Sequence, residues 1–364
     1  MKKVISILLI VFLIMTFLVA CTKKPQTEYT KYSGAFFGTF DTVVQVVGYT
    51  KTEEEFKSYM KQIEDRMFEL HRLFDKYNNY QGLNNVKTIN DNAGIMPVKV
   101  DKELLDLLVF SKQHYQETSK KTNIALGSVL EIWSKYRDMA TADPEDAKVP
   151  PIEDLIEANK HTDINKVIID EKNSTIYLED RKMTIDVGGV AKGYATEIVA
   201  KEIEEAGLRS AIISAGGNIR TIGKPFDGVR ERWGVGLQNP EAFGVPHMDD
   251  LLETIYINDA SVVTSGDYQR FYMVGDLKIH HIIDPDTLMP GDYYRAVTIV
   301  TPDSGLADFL STSVFLLPYE EGKALVESHE SVDALWIFKD GTIEATDGLK
   351  KIMQSNGAKG SEAE

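Results

Sequence analysis

The chain has 364 residues, 43% of them hydrophobic, a formal net charge of −16 and one cysteine, Cys21. The acidic balance argues against nucleic acid as a partner, because phosphate backbones select basic surfaces. A single cysteine excludes an internal disulfide, so stability has to come from a hydrophobic core, and a chain of this length can bury a large one or two.

Met1-Lys2-Lys3 precedes an apolar run, Val4 to Ala20, broken only by Ser6 and Thr16. A basic start, an apolar core and small residues before a cut point describe a secretory signal. The run ends Leu18-Val19-Ala20-Cys21, which resembles the bacterial lipobox. The expectation is a lipoprotein signal peptide over 1–20 and a lipidated (palmitate-type) Cys21. The chain would then sit outside the cytoplasm, on the outer face of the bacterial cytoplasmic membrane. An uncleaved anchor is the alternative, although the run is at the short limit for spanning a bilayer. One acyl chain holds weakly, so stable anchoring takes more than one. Residues 21–34 read as a tether.

Phe36 to Tyr49 alternates around Val43, Val44, Val46 and Val47 and predicts a strand. Thr52-x-x-Glu55 is a candidate capping box. It opens a helix whose Phe56, Met60, Ile63, Met67, Leu70 and Phe74 share one face. A second helix is expected over Lys102 to Thr118, and a loop over the acidic, proline-containing stretch Asp138 to Pro151. Ile164 to Ile169, Ser174 to Leu178 and Lys182 to Val187 read as short strands. Ala191 to Ala206 reads as a helix closed by Gly207. Ser210 to Ser214 reads as a strand leading into Gly216-Gly217. Beyond Leu251 strands alternate with turns, interrupted by a helix over Ser304 to Phe315, and 351–364 reads as a flexible tail. The fold class is α/β or α+β.

Four segments carry chemistry. Ile185-Asp186-Val187-Gly188-Gly189-Val190-Ala191-Lys192 runs through two glycines into a helix. Glycines let a backbone approach an anion, and helix N-termini favour phosphate. Lys192 adds a cation where the helix dipole does not invite one, which hints at an anionic ligand. A tight structural turn is the alternative. Thr264-Ser265-Gly266-Asp267-Tyr268 and His280-His281-Ile282-Ile283-Asp284-Pro285 could form a hairpin presenting Asp267, His281 and Asp284 together, with histidine as proton carrier. A turn at Asp284-Pro285 beside a core histidine is the alternative. Asp308 and Thr312, four apart on a helix, offer a carboxylate and a hydroxyl to a hard cation; an unrelated capping Asp is the alternative.

In this order and at these separations the four segments resemble the ApbE family of FAD:protein FMN transferases. Phe37-Gly38-Thr39, Phe74-Asp75-Lys76-Tyr77-Asn78, Thr122 to Trp133 and Ser214-Ala215-Gly216-Gly217-Asn218-Ile219-Arg220 resemble further family motifs. The likeness spans roughly Ala35 to Gly348. Asn123, Ala125, Ser128 and Asn218 depart from it; Asn218 stands where the family carries an acid.

The resemblance implies an ApbE-type, T-fold-like two-lobed architecture with mixed sheets and a ligand cleft, the domain covering 35–350. It implies Mg (or Mn) held by the Gly189 carbonyl, Asp308 and Thr312, and FAD as substrate. Phe37, Tyr77, Ala125, Leu126, Gly127, Lys192, Ser265 and His281 would contact the flavin nucleotide. His281 would be the base, with Asp267 second or orienting it. The partner would be an extracytoplasmic electron-transfer protein with a Ser/Asp-Gly-x-Thr type acceptor. An FAD pyrophosphatase and a non-catalytic FAD-binding surface lipoprotein are the rival readings.

Overall fold

The computed structural model describes residues 28–242 and 251–361. The expected signal segment and Cys21 lie outside the described residues. Among the described residues no helix is long and apolar enough to cross a membrane.

One eight-stranded antiparallel sheet organises the chain. Its members are Thr30–Thr39, Thr42–Thr50, Ala211–Ala215, Asn218–Ile222, Ser261–Gly266, Tyr294–Thr301, Asp333–Phe338 and Ile343–Ala345, and they neighbour one another in that same order. The other elements are inserted between consecutive strands, apart from a short C-terminal segment that follows Ile343–Ala345. The Tyr294–Thr301 strand shows why a continuous apolar run is needed at the centre. Successive side chains point to opposite faces, so Val297 and Ile299 join one core while Ala296 and Val300 join another.

On the first face pack the helices Glu53–Phe74, Ala191–Glu205 and Ser304–Phe315. The first begins as expected: the Thr52 side chain accepts from the Glu55 N–H, and its apolar stripe (Phe56, Ile63, Met67, Leu70, Phe74) is buried. The second face is covered by the pair Trp233–Gln238 and Leu251–Ile257. A third, smaller core joins the helix Gly127–Ala142 to the ribbon Phe271–Val274/Leu277–His280, through Trp133, Tyr272, Ile279, Ile283 and Leu288. That unit faces the sheet-and-helix body across a cleft.

Several expectations need correction. The single strand at Phe36 to Tyr49 is two strands with a turn at Phe40-Asp41, both residues at positive φ (52° and 51°). Such turns normally carry Asn or Gly. Here Phe40 is held by its N–H bond to His71 Nδ1 at 3.2 Å and by ring contacts with His71 and Phe74. The same hairpin takes residues 30–34 out of the expected tether. Asp138 to Ala142 continue a helix, and Ile164–Lys166 form a 3₁₀ turn before the strand Val167–Asp170. Lys182 to Val187 is not a strand: Ile185 bonds both backbone groups to the Asn90 amide, and the Asp186 N–H donates to the Ile124 carbonyl. The expected tail is tied down through Gly360, whose carbonyl accepts from the Glu231 and Arg232 N–H groups, and Met353 is buried beside Ile255.

Candidate active site

The helices Ala191–Glu205 and Ser304–Phe315 approach closely because residue 193 is glycine. A Cβ there would lie 2.5 Å from Asp308 Cβ and closer still to the Ser304 carbonyl. The approach lets the Gly193 N–H donate to Asp308 Oδ2 at 2.8 Å. A first-turn N–H is thereby satisfied by an anion, the arrangement the helix dipole favours. Asp308 is buried, and its Oδ1 lies 3.9 Å from Lys192 Nζ, which donates to Asn218 Oδ1 at 3.0 Å. One turn on, Thr312 Oγ1 lies 3.5 Å from Ser265 Oγ. Gly189 is beside it, close enough that a Cβ would sit 3.7 Å from the Thr312 hydroxyl. The residues expected to hold a metal therefore do converge.

Every donor in that set is oxygen, which fits a hard cation. There is a single carboxylate, and among the described residues no three His, Cys, Asp or Glu side chains cluster as a metal site. A magnesium-type ion suits this, since it keeps waters and takes ligand phosphates as its remaining partners. The donor set fits the ion only together with an anionic ligand in the cleft.

The cleft has a volume of about 370 Å³ and is lined by Gly188, Gly189, Lys192, Ser265, Asp308 and Thr312 at one end. Tyr77, Leu126, Trp133, Arg137, Arg270 and His281 line the rest. His281 follows directly on the ribbon strand Leu277–His280. Its Nδ1 is 3.2 Å from the Arg270 carbonyl oxygen. A carbonyl only accepts, so Nδ1 carries the proton in this contact and Nε2 is left as an acceptor. The His281 side chain is exposed at the mouth of the cleft. Partial desolvation by the protein around it, with the Arg270 cation, His280 and Lys192 nearby, pushes its pKa down. The imidazole is therefore neutral at physiological pH, with its acceptor nitrogen unprotonated but less basic than that of an ordinary histidine.

Other expected residues are placed differently. Asp267 does not orient His281. It is buried with one oxygen 3.0 Å from Arg295 Nε and the other 3.4 Å from Lys278 Nζ, so two cations occupy it and the Arg270 carbonyl does the orienting. Asp284 is likewise taken by Lys121, at 2.8 Å. Phe37 is 71% exposed on the first hairpin and does not line the cleft. Ala125 and Gly127 lie beneath its surface, and a Cβ on Gly127 would meet the Thr184 carbonyl. Of Ala125, Leu126 and Gly127, only Leu126 lines the cleft. The sequence did not point to Arg270, because its contribution to His281 is a backbone carbonyl. Nor did it show the ion pair between Lys76 and Asp186, 110 positions apart along the chain.

Comparison with known proteins agrees with the resemblance carried by the motifs. The chain is 33% identical over 274 residues to the FAD:protein FMN transferase of Treponema pallidum (strain Nichols), with 72% of each chain covered. It is 30% identical over 259 residues to the FAD:protein FMN transferase of Klebsiella pneumoniae (strain 342), covering 71% of this chain and 76% of that one. The crystal structure of the ApbE protein of Thermotoga maritima superposes with a TM-score of 0.75 at 28% identity, over 88% of this chain and 98% of its own. The profile of the ApbE family matches residues 40–336, and the chain belongs to that family.

Proposed function

We propose that this protein transfers FMN from FAD to a threonine or serine hydroxyl of an acceptor protein, with release of AMP. The observation that carries the reading is one cleft holding a tautomer-fixed, neutral His281 together with Lys192, Asp308 and Thr312. The acceptor hydroxyl oxygen bonds to the FMN phosphorus, and the phosphoanhydride bond to AMP breaks. The hydroxyl proton passes to His281 Nε2, whose acceptor lone pair needs no prior deprotonation. Lys192 offers positive charge to the pyrophosphate. The names borne by the Treponema and Klebsiella relatives support the same chemistry.

Asp308, Thr312 and the Gly189 carbonyl would hold Mg, or Mn in its place. Bound there, the metal supplies charge neutralisation on the pyrophosphate oxygens and the departing AMP. The acceptor is proposed to be an extracytoplasmic electron-transfer protein with a Ser/Asp-Gly-x-Thr segment. Cys21 is proposed as the lipid-bearing residue that keeps the enzyme on the same face of the membrane.

Asp308 separates fold from function. In Asp308→Asn the amide oxygen can still accept from Gly193, whereas the anionic ligand is gone. The variant is expected to keep the wild-type melting temperature and to lose metal-dependent AMP release by about 100-fold or more. Unchanged AMP release, or equal release from the wild type in excess chelator, would remove the metal site from the account. Release of FMN and AMP without flavin on the acceptor would favour water as nucleophile.

A further inference from the structure

Tyr77 is 60% exposed and lines the cleft. The backbone around it is fixed locally: Asp75 accepts from the Tyr77 N–H at 2.6 Å, from Asn78 at 2.9 Å and from the Tyr80 hydroxyl at 2.8 Å. The ring itself is not fixed by those bonds. Among the described residues its hydroxyl has no hydrogen-bond partner, and its one recorded ring contact is the Lys76 ammonium, 4.9 Å from the centroid. Tyr77 also borders an open groove of about 530 Å³, walled further by Lys76, Glu131, Ser134 and Met139, into which an unheld ring could swing.

Lys76 is in turn placed by Asp186. Its Nζ lies 2.6 Å from Asp186 Oδ2, with side chains only 13% and 14% exposed, so solvent screens the pair little. Burial opposes the Lys76 charge, but the Asp186 carboxylate outweighs it and keeps the amine protonated. The other Asp186 oxygen accepts the Gly188 N–H at 2.8 Å. One carboxylate thus anchors both the cation beneath Tyr77 and the glycine turn that runs into Lys192.

We propose that Lys76 is a positioning residue, through which Asp186 holds the Tyr77 ring in register with the Gly188-Gly189 turn. The ligand part it serves is a flat aromatic ring of a dinucleotide, stacked on Tyr77 while the turn faces the pyrophosphate. This rests on the proposed use of FAD.

The test is FAD binding to the intact protein in Mg, followed by quenching of flavin fluorescence, for wild type, Lys76→Met, Lys76→Arg, Tyr77→Ala and the Lys76→Met/Tyr77→Ala double variant. Lys76→Met is expected to weaken FAD by about three- to thirtyfold, the range of a cation held over an aromatic ring. Lys76→Arg, which keeps a cation beside the ring, is expected to bind FAD more tightly than Lys76→Met. On the Tyr77→Ala background the Lys76 change should add nothing further. ADP and FMN, each carrying one ring of FAD, identify which ring Tyr77 serves. Where Lys76→Met alone melts early, the charge-neutral pair Lys76→Met/Asp186→Asn replaces it. Wild-type affinity in Lys76→Met, or an undiminished Lys76 effect without the Tyr77 ring, overturns the inference. A wild type that binds no FAD contradicts the proposed function instead.

Discussion

His281 shows how a single bond can assign a role. The Arg270 carbonyl fixes the proton on Nδ1, and the partly desolvated, cation-flanked position at the cleft mouth holds the pKa down. The sign of that shift has a kinetic consequence. A depressed pKa means that the proton-accepting form persists as the pH falls, well below the ordinary histidine value near 6.5. The kcat/KM for transfer, which reports the free enzyme, is therefore expected to stay flat from pH 8 down to about 5. His281→Gln should lower kcat by about 10²- to 10⁴-fold. An acid limb centred near 6.5 that vanishes in His281→Gln contradicts the depressed pKa, and a His281→Gln variant with undiminished kcat contradicts the role as base. At this scale the sequence was informative wherever partners are close along the chain. Asp308 and Thr312 sit one helical turn apart, and Lys192 lies three positions after Gly189. It misplaced Asp267, whose occupants Lys278 and Arg295 arrive from two other strands.

At the scale of elements, the site depends on how two helices meet. Gly193 is the contact point, and replacing it with alanine asks the Ser304–Phe315 helix to move away. Overpacking of this kind costs about 1–3 kcal/mol. Because Asp308 Cβ is among the atoms met, beside the Ser304 carbonyl, the displacement also moves the proposed metal ligand. Gly193→Ala is expected to show both a lower denaturation midpoint and weaker Mg dependence of AMP release; a stability loss with unaltered Mg dependence would show that the packing does not set the Asp308 position. The N-terminus of the Ser304–Phe315 helix is also held one turn further along the glycine's own helix. Glu197 Oε2 accepts the Ser304 N–H at 2.8 Å and pairs with buried Arg220 at 3.1 Å, tying helix to sheet. Helices with capping and periodic signals were legible, as Glu53–Phe74 and Ser304–Phe315 show. The Phe40-Asp41 turn was not, since its positive φ values are held by contacts to His71 and Phe74 rather than by a glycine. Lys182 to Val187 looked like a strand because Met183, Ile185 and Val187 are buried, yet its backbone pairs with a side chain and a loop.

At the scale of the whole molecule, the eight-stranded sheet keeps chain order, and the inserted segments between its strands build the cleft. The Gly127–Ala142 helix and the His281 ribbon form one wall, and the Asp308 helix with the glycine turn forms the end where the oxygen donors gather. The mixed fold class and the order of motifs were readable, because each motif is a local string. The distribution of the three cores was not, because it depends on which face each strand presents to a distant partner. A base open to the cleft mouth, opposite a buried donor set, suits a nucleophile that comes from a second protein while the nucleotide lies within. The most direct measurement is the intact mass of a flavin-domain acceptor carrying a Ser/Asp-Gly-x-Thr segment, after incubation with this protein, FAD and Mg. The account predicts a gain of one FMN, abolished by chelator, by Asp308→Asn and by removal of the acceptor threonine. An acceptor that stays unmodified while FAD is cleaved to FMN and AMP would contradict it.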